Sequence, residues 1–241
     1  MSLNRWVMIM VSREEVLDCL IKKNCLHRTF MIGADLKPGI YVDIDGKRER
    51  LVILTWGDQP ISDPEFMDTV CCFFAQFVRE RNIQVIVGGE TAGIPYAANL
   101  AHMTETKFVY CRKDNKKYGS QKKLEGHFQE GMRAVFVDNF LFSGGTAEKM
   151  VKAIQREGLV VDDIFVIEQF SDILEKPILK EKNVVSICTT PQKVELLNEH
   201  NYFPQELYPY IIDSIRHPLR YYEGSETYAE YLQKLKQHDG I

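Results

Sequence analysis

The chain has 241 residues, of which 45% are hydrophobic and 27% charged, the balance of a soluble globular domain with enough chain to bury a sizeable core. A formal net charge of −4 argues against a general nucleic-acid or anionic-membrane role. No apolar run approaches the length of a membrane span, so no membrane partner is expected.

The first predicted element follows an apolar patch, Trp6 to Val11, which has no small-residue cleavage site and is not read as a signal peptide. Residues 12–26 have the pattern of a helix. Ser12 can cap it, Glu15 three residues on completes a capping box, and Val16, Leu17, Leu20 and Ile21 form an apolar face. A hairpin is expected next. Its arms are Thr29 to Ile32 and Ile40 to Ile44, and its turn, Gly33 to Gly39, carries Lys37. A second helix is expected over 63–81, with Asp63 as cap, Pro64 at the first position, and a stripe of Phe66, Val70, Phe73, Phe74 and Phe77. That stripe reads as core or dimer interface.

Val85-Ile86-Val87 has the pattern of a strand buried on both faces. It runs into a glycine-rich turn, Gly88-Gly89-Glu90-Thr91-Ala92-Gly93, and then into a helix. Small residues there let backbone N–H groups approach an anion closely. Phe108 to Tyr110 is a third strand. After it, six of the sixteen residues 111–126 are Lys or Arg. Such a run is usually a solvated surface loop, but it can also close over a polyanion.

The centre of the chain is Ala134 to Thr146. An apolar strand, Ala134 to Val137, ends in Asp138 and Asn139; Phe140-Leu141-Phe142 follows, then Ser143-Gly144-Gly145-Thr146. A helix begins there, with Ala147, Met150, Val151 and Ile154 on one face and Gly158 as its stop. Adjacent glycines turn amides toward one point, the Ser143 and Thr146 hydroxyls add donors, and the helix N-terminus adds partial positive charge. Those features suit a phosphate. Asp138 and Asn139 suit the hydroxyls of a sugar beside it, so the pair of features points to a sugar phosphate.

Further strands are expected over 163–167 and 184–187, and a helix over 191–199. Tyr202 to Ile241 reads as an appendage with a short helix at 228–237. The expected fold class is α/β, a mainly parallel sheet flanked by helices, which would bring the three loops to one edge of the sheet. Six cysteines (Cys19, Cys25, Cys71, Cys72, Cys111 and Cys188) form no Cys-x-x-Cys pair and are expected as reduced thiols, which implies a cytoplasmic setting.

Residues 137–146 resemble the phosphoribosyl pyrophosphate (PRPP) motif of type I phosphoribosyltransferases. Gly88 to Ala98 resembles the pyrophosphate loop of that family, with a good match through Gly93-Ile94-Pro95. Arg112, Lys113, Lys116 and Gly119, with Glu125-Gly126, resemble the mobile catalytic loop of the orotate phosphoribosyltransferases. The entry to the chain is similar to the N-terminal hood of the same group, with the spacing of Lys37 and Tyr41 kept. The resemblance covers roughly residues 12–190. It implies a phosphoribosyltransferase domain over 1–200 with a hood at about 12–60, and leaves 201–241 as a tail packed on that domain.

The resemblance also implies a reaction and roles. A nitrogen base would displace pyrophosphate from PRPP, in pyrimidine nucleotide metabolism. Lys113, Lys116 and Asp138 would be catalytic. PRPP would lie against Arg112, Lys113, Lys116, Tyr118, Asp138, Asn139, Phe142, Ser143, Gly144, Gly145 and Thr146, and its pyrophosphate against Gly89, Glu90, Thr91, Ala92 and Gly93. Phe142, Gln169 and Lys37 would face the base, although Lys37 reads equally well as a solvated turn lysine. Mg²⁺ would be held through PRPP, with no direct protein ligand. A homodimer is implied, in which the loop 112–123 covers the partner's site.

Four positions depart from the pattern. Tyr118 replaces a His, Asn139 the second acid, Phe142 a Thr, and Gln169 the arginine that grips the carboxylate of orotate. Three readings follow: an orotate phosphoribosyltransferase-like enzyme, a phosphoribosyltransferase for another base, and a PRPP-binding regulatory protein without turnover. A plain nucleotide-binding domain is disfavoured by the basic segment.

Overall fold

The structure is a computed structural model that describes residues 11–22, 40–44, 47–51, 59–114, 122–141, 144–170, 177–201, 205, 208–209 and 212. In chain order the elements are α1 (Arg13–Lys22), β1 (Ile40–Ile44), β2 (Lys47–Leu51), a 3-10 turn (Gln59–Ser62), α2 (Pro64–Glu80), β3 (Val85–Gly89), α3 (Gly93–Thr104) and β4 (Lys107–Cys111). They continue with β5 (Leu124–Gly126), β6 (Arg133–Leu141), α4 (Gly145–Arg156), β7 (Val160–Gln169), α5 (Pro177–Lys180), β8 (Asn183–Thr189) and α6 (Thr190–Glu199). The chain divides into two compact units: Met1–Cys25 with Gly57–Thr189, and Leu26–Trp56 with Thr190–Ile241.

The first unit is built on a six-stranded sheet of order β5-β4-β3-β6-β7-β8. All its neighbours are parallel except β5, which runs antiparallel to β4. The strand side chains sort by period two onto two faces. On one face Val85, Val87, Phe136, Ile164 and Val166 share a core with Met150, Val151 and Ile154 of α4. On the other, Gly88 lies against Ile94 and Ala97 of α3, and Phe165 stacks on Phe74 of α2 at 5.1 Å between ring centroids. The sheet is therefore covered on both faces, as continuous apolar strands require.

The helix ends follow the sequence signals. Ser12 Oγ accepts the Glu15 N–H at 3.2 Å and Glu15 Oε2 accepts the Ser12 N–H at 2.7 Å, so the capping box is formed. Hydrogen bonding to the carboxyl from the Ser12 backbone, and then from the Ser12 side chain, holds Glu15 below its usual range. Asp63 Oδ1 accepts the Phe66 N–H at 2.9 Å, with Pro64 at the first helical position. The helix expected over 12–26 is described as far as Lys22.

Three expectations change in extent, and one expected strand has a neighbour the sequence pattern did not announce. The strand expected to stop at Val137 continues to Leu141, because β7 runs beside it and pairs Asp138 with Val166, Phe140 with Glu168 and Leu141 with Gln169. β7 is longer than 163–167 at both ends. A register shift between Ala134 and Val135 lets Val161 and Ile164 share one core, a bulge that a strict period of two hides. The charged stretch after β4 returns as the three-residue edge strand β5, too short and polar to announce itself. In the second unit Ile40 to Ile44 is a strand that pairs with β2, from Ile40↔Leu51 to Ile44↔Lys47, and the expected arm 29–32 lies outside the described residues. The Asp45-Gly46 pair between the two strands was the overlooked hairpin signal. The helix expected at 228–237 also lies outside the described residues.

Candidate functional site

β3 and β6 are parallel neighbours, with Gly88 opposite Val137. Both of their strand-to-helix turns therefore leave the same edge of the sheet. The contact between the turns is direct. A Cβ on Gly93 would stand 2.3 Å from the Val137 carbonyl oxygen and 3.0 Å from Asp138 Cα. Only glycine admits that approach. Gly89 is similarly pressed, its Cβ position lying 2.9 Å from the Phe136 ring and 3.2 Å from Met150 Sδ, one turn into α4 beyond Thr146. The two glycine-rich turns are thus one structure.

In the second turn Gly144 has a φ of 78°, the left-handed conformation that favours glycine, and its carbonyl accepts the Glu148 N–H at 2.8 Å. Gly145 and Thr146 open α4, where first-turn amides and the helix dipole favour an anion. In the first turn Ala92 is the N-cap and Gly93 opens α3; the Glu90–Thr91 peptide is cis. Ser143 and Phe142 lie outside the described residues, as do Lys37, Lys116 and Tyr118.

Asp138 lies on β6 against the Gly93 turn, half-buried, with Asn139 beside it. Its Oδ1 accepts the Asn139 N–H at 2.8 Å. Burial pushes the carboxyl up to about 6, while the Asn139 amide and then the charge of Lys113 pull the other way. Lys113, which follows β4, therefore acts electrostatically on Asp138 two strands away. Thr91 is exposed, and Glu90 half-buried.

Not every sequence-predicted residue faces this point. Arg112 pairs with Glu125, Nη1 to Oε1 at 3.5 Å, while its Nε is enclosed with no hydrogen-bond partner. Gln169 ends β7, in register with Leu141 and Thr189 and only 8% exposed, three residues further along the strands than the Asp138 level. Two residues went unnoticed in the sequence. Glu157 Oε1 accepts the N–H groups of Lys123 at 2.9 Å and Leu124 at 3.2 Å, and Lys123 Nζ donates to the Lys113 carbonyl at 2.7 Å. A signal existed for Glu157: it is an acid at a helix C-terminus, where the dipole disfavours one.

Among the described residues no group of three or more His, Cys, Asp or Glu side chains could hold a metal ion, and no helix is long and apolar enough to cross a membrane.

No family model matches the chain. Relatives do. A protein named orotate phosphoribosyltransferase from Methanocaldococcus jannaschii is 26% identical over 159 residues, which is 66% of this chain and 82% of that protein. Others of that name are matched over 33% to 64% of their length. Among solved structures, orotate phosphoribosyltransferase from Aeropyrum pernix superimposes with a TM-score of 0.59 at 18% identity, over 78% of this chain and 99% of that one. The chain has the phosphoribosyltransferase fold. UMP synthase of Leishmania donovani carries a similar fold, with a TM-score of 0.62 at 18% identity over 84% of this chain and 42% of that one. The strand order and the two glycine turns that resembled the family in sequence are therefore parts of a phosphoribosyltransferase fold in three dimensions.

Proposed function

We propose that this protein is a PRPP-dependent phosphoribosyltransferase, orotate phosphoribosyltransferase-like, that transfers ribose 5-phosphate to a ring nitrogen of a base. The observation that carries the reading is the backbone contact between Gly93 and Val137–Asp138, which joins two anion-suited turns around one carboxyl. In the reaction the bond from ribose C1 to the pyrophosphate oxygen breaks as a bond from C1 to nitrogen forms. The ribose carbon gains cationic character, and negative charge grows on the leaving group.

Each group has a role in that scheme. The Gly144–Thr146 turn and α4 hold the 5-phosphate, and the Gly89–Gly93 turn receives the pyrophosphate. Asp138 accepts hydrogen bonds from the ribose hydroxyls and faces the cationic ring. Lys113 and Lys116 track the leaving charge, the kind of electrostatic stabilisation that usually contributes most to catalysis. The groups present are amides, ammonium groups and the carboxyls of Asp138 and Glu90, of which Glu90 is engaged with the Lys113 N–H. That set fits a Mg²⁺ ion carried in mainly by the oxygens of PRPP, where it would neutralise charge on the leaving group. Closure of the loop 112–123 over the site of a dimer partner would exclude water that otherwise hydrolyses the activated ribose. The protein would work in the cytoplasm.

Gln169 bears on the choice of base. It offers a neutral amide where the resemblance has an arginine, and a neutral amide cannot form a bidentate ion pair with a carboxylate. The base is therefore proposed to be one other than orotate, or orotate bound weakly. Calorimetry with Mg²⁺–PRPP, followed by pyrophosphate release over a panel of bases, tests the whole reading. Binding of PRPP and turnover with at least one base is the expected result. Binding without turnover would make the protein a PRPP-responsive regulator, and absence of binding would end the proposal.

A further inference from the structure

Glu90 is out of place by charge. It lies in the turn whose amides would receive an anion, and a loose carboxylate there would repel one. The fold disposes of that carboxylate. Its Oε2 accepts the Lys113 N–H at 2.7 Å, and Glu90's own N–H donates to the Cys111 carbonyl at 2.9 Å. Two bonds thus stitch the turn after β3 to the chain that leaves β4. The other side of that neck is held as well. The Arg112 N–H donates to the Lys123 carbonyl at 3.0 Å, Lys123 Nζ donates to the Lys113 carbonyl at 2.7 Å, and the Lys123 N–H donates to Glu157 Oε1 at 2.9 Å. Both the N–H and the carbonyl of Lys113 are therefore engaged, while its side chain stays exposed.

We propose that Glu90 is a positioning residue: by gripping the Lys113 amide it aims the Lys113 ammonium at the anion held between the two glycine turns. The identity of that anion, the pyrophosphate of PRPP, rests on the phosphoribosyltransferase reading. Glu90 touches no reacting atom in this scheme. It acts through a charge-assisted hydrogen bond, which is shorter and stronger than a neutral one. Its own negative charge is turned onto the amide and away from the anion, so one side chain both removes a repulsion and places an attraction. The turn that receives the anion and the cation that follows it would then move as a unit.

Two substitutions separate this role from simple support of the fold. Glu90→Gln keeps an acceptor for the Lys113 amide and Glu90→Ala does not. Glu90→Ala is expected to lower kcat/KM for PRPP by about tenfold or more, and Glu90→Gln by less than about threefold. On a Lys113→Ala background, which retains the amide but lacks the ammonium, adding Glu90→Ala is expected to cost less than about threefold, because the two changes remove one interaction. Equal losses on both backgrounds would overturn the proposal, as would a Glu90→Gln loss matching that of Glu90→Ala.

A ligand-free measurement keeps the test independent of the proposed activity. Hydrogen exchange at the Lys113 amide should quicken in Glu90→Ala and stay slow in Glu90→Gln; unchanged exchange in Glu90→Ala contradicts the proposal. If the wild-type chain failed to bind PRPP, the functional reading would fall. The Glu90 proposal would then be decided by that exchange and by the affinity for inorganic pyrophosphate, which Glu90→Ala should weaken.

Discussion

Asp138 concentrates the chemistry of the site in one side chain. Its folded-state value of about 6 lies above an ordinary 3.8, and burial is the larger cause. A carboxyl raised in this way stabilises the fold below its unfolded value and loses that contribution as the pH rises through the folded one. The unliganded protein should therefore lose stability between about pH 4 and about pH 6 through this group. Asp138→Asn should melt higher than wild type at neutral pH, and the difference should close by about pH 4. Ligand binding has the opposite sign. Ribose hydroxyls are best accepted by the ionised carboxylate, so affinity for PRPP should fall more steeply as the pH drops through about 6 in wild type than in Asp138→Asn, where only the titration of the phosphates, also near about 6, remains. The same substitution should slow turnover by about 10²–10³. The position of Asp138 beside a glycine turn is legible in the sequence. The pull of Lys113 upon it is not, since 25 residues and an intervening strand separate the two along the chain.

At the scale of elements, two strand-to-helix turns become one site because their strands are adjacent. Gly93 is the point of contact, and a side chain there has nowhere to go. Gly93→Ala should destabilise the protein by about 2–3 kcal/mol, as overpacking against fixed backbone does, and should abolish anion binding. Gly131→Ala is the control. Its φ of 81° is left-handed, but nothing lies within 4 Å of the added Cβ. It should cost about 1–2 kcal/mol and leave binding intact. Denaturant melts and calorimetry on both variants check the contrast. The lengths of the elements were less legible than their existence. β6 continues through Asp138 and Asn139, two polar residues that read as the end of a strand, because β7 supplies hydrogen bonds that no local pattern announces.

Over the whole first unit, the sheet is held to its covering helices by long-range pairs as well as by core. Arg81, just past the end of α2, pairs with Asp163 on β7 and lies over the Phe77 ring at 5.2 Å. Asp163 is 1% exposed, so its charge has no water to fall back on. Arg81→Ala should cost about 3 kcal/mol, and replacing both partners with apolar residues of similar volume should be nearly neutral. Thermal melts of the single and double variants decide it. Asp163 reads in the sequence as the polar start of a strand. Its burial follows from the register shift in the β6–β7 pair, which turns it from the face of Val161 and Ile164.

The amino-acid order alone determined what depends on near neighbours. The capping box at Ser12, the cap at Asp63, the apolar stripe of α2, and the two glycine-rich turns each require only residues within a few positions of one another. The alternation of strand and helix then implied a parallel sheet with its loops on one edge. Tertiary structure decided what depends on distant chain. It set how far β6 runs, which strand β1 joins, the pairing of Arg112 with Glu125, and the grip of Glu90 on Lys113. The physical reason is common to these cases. A backbone donor or a buried charge must find a partner, and many partners at long range satisfy the local pattern equally well until the sheet order selects one.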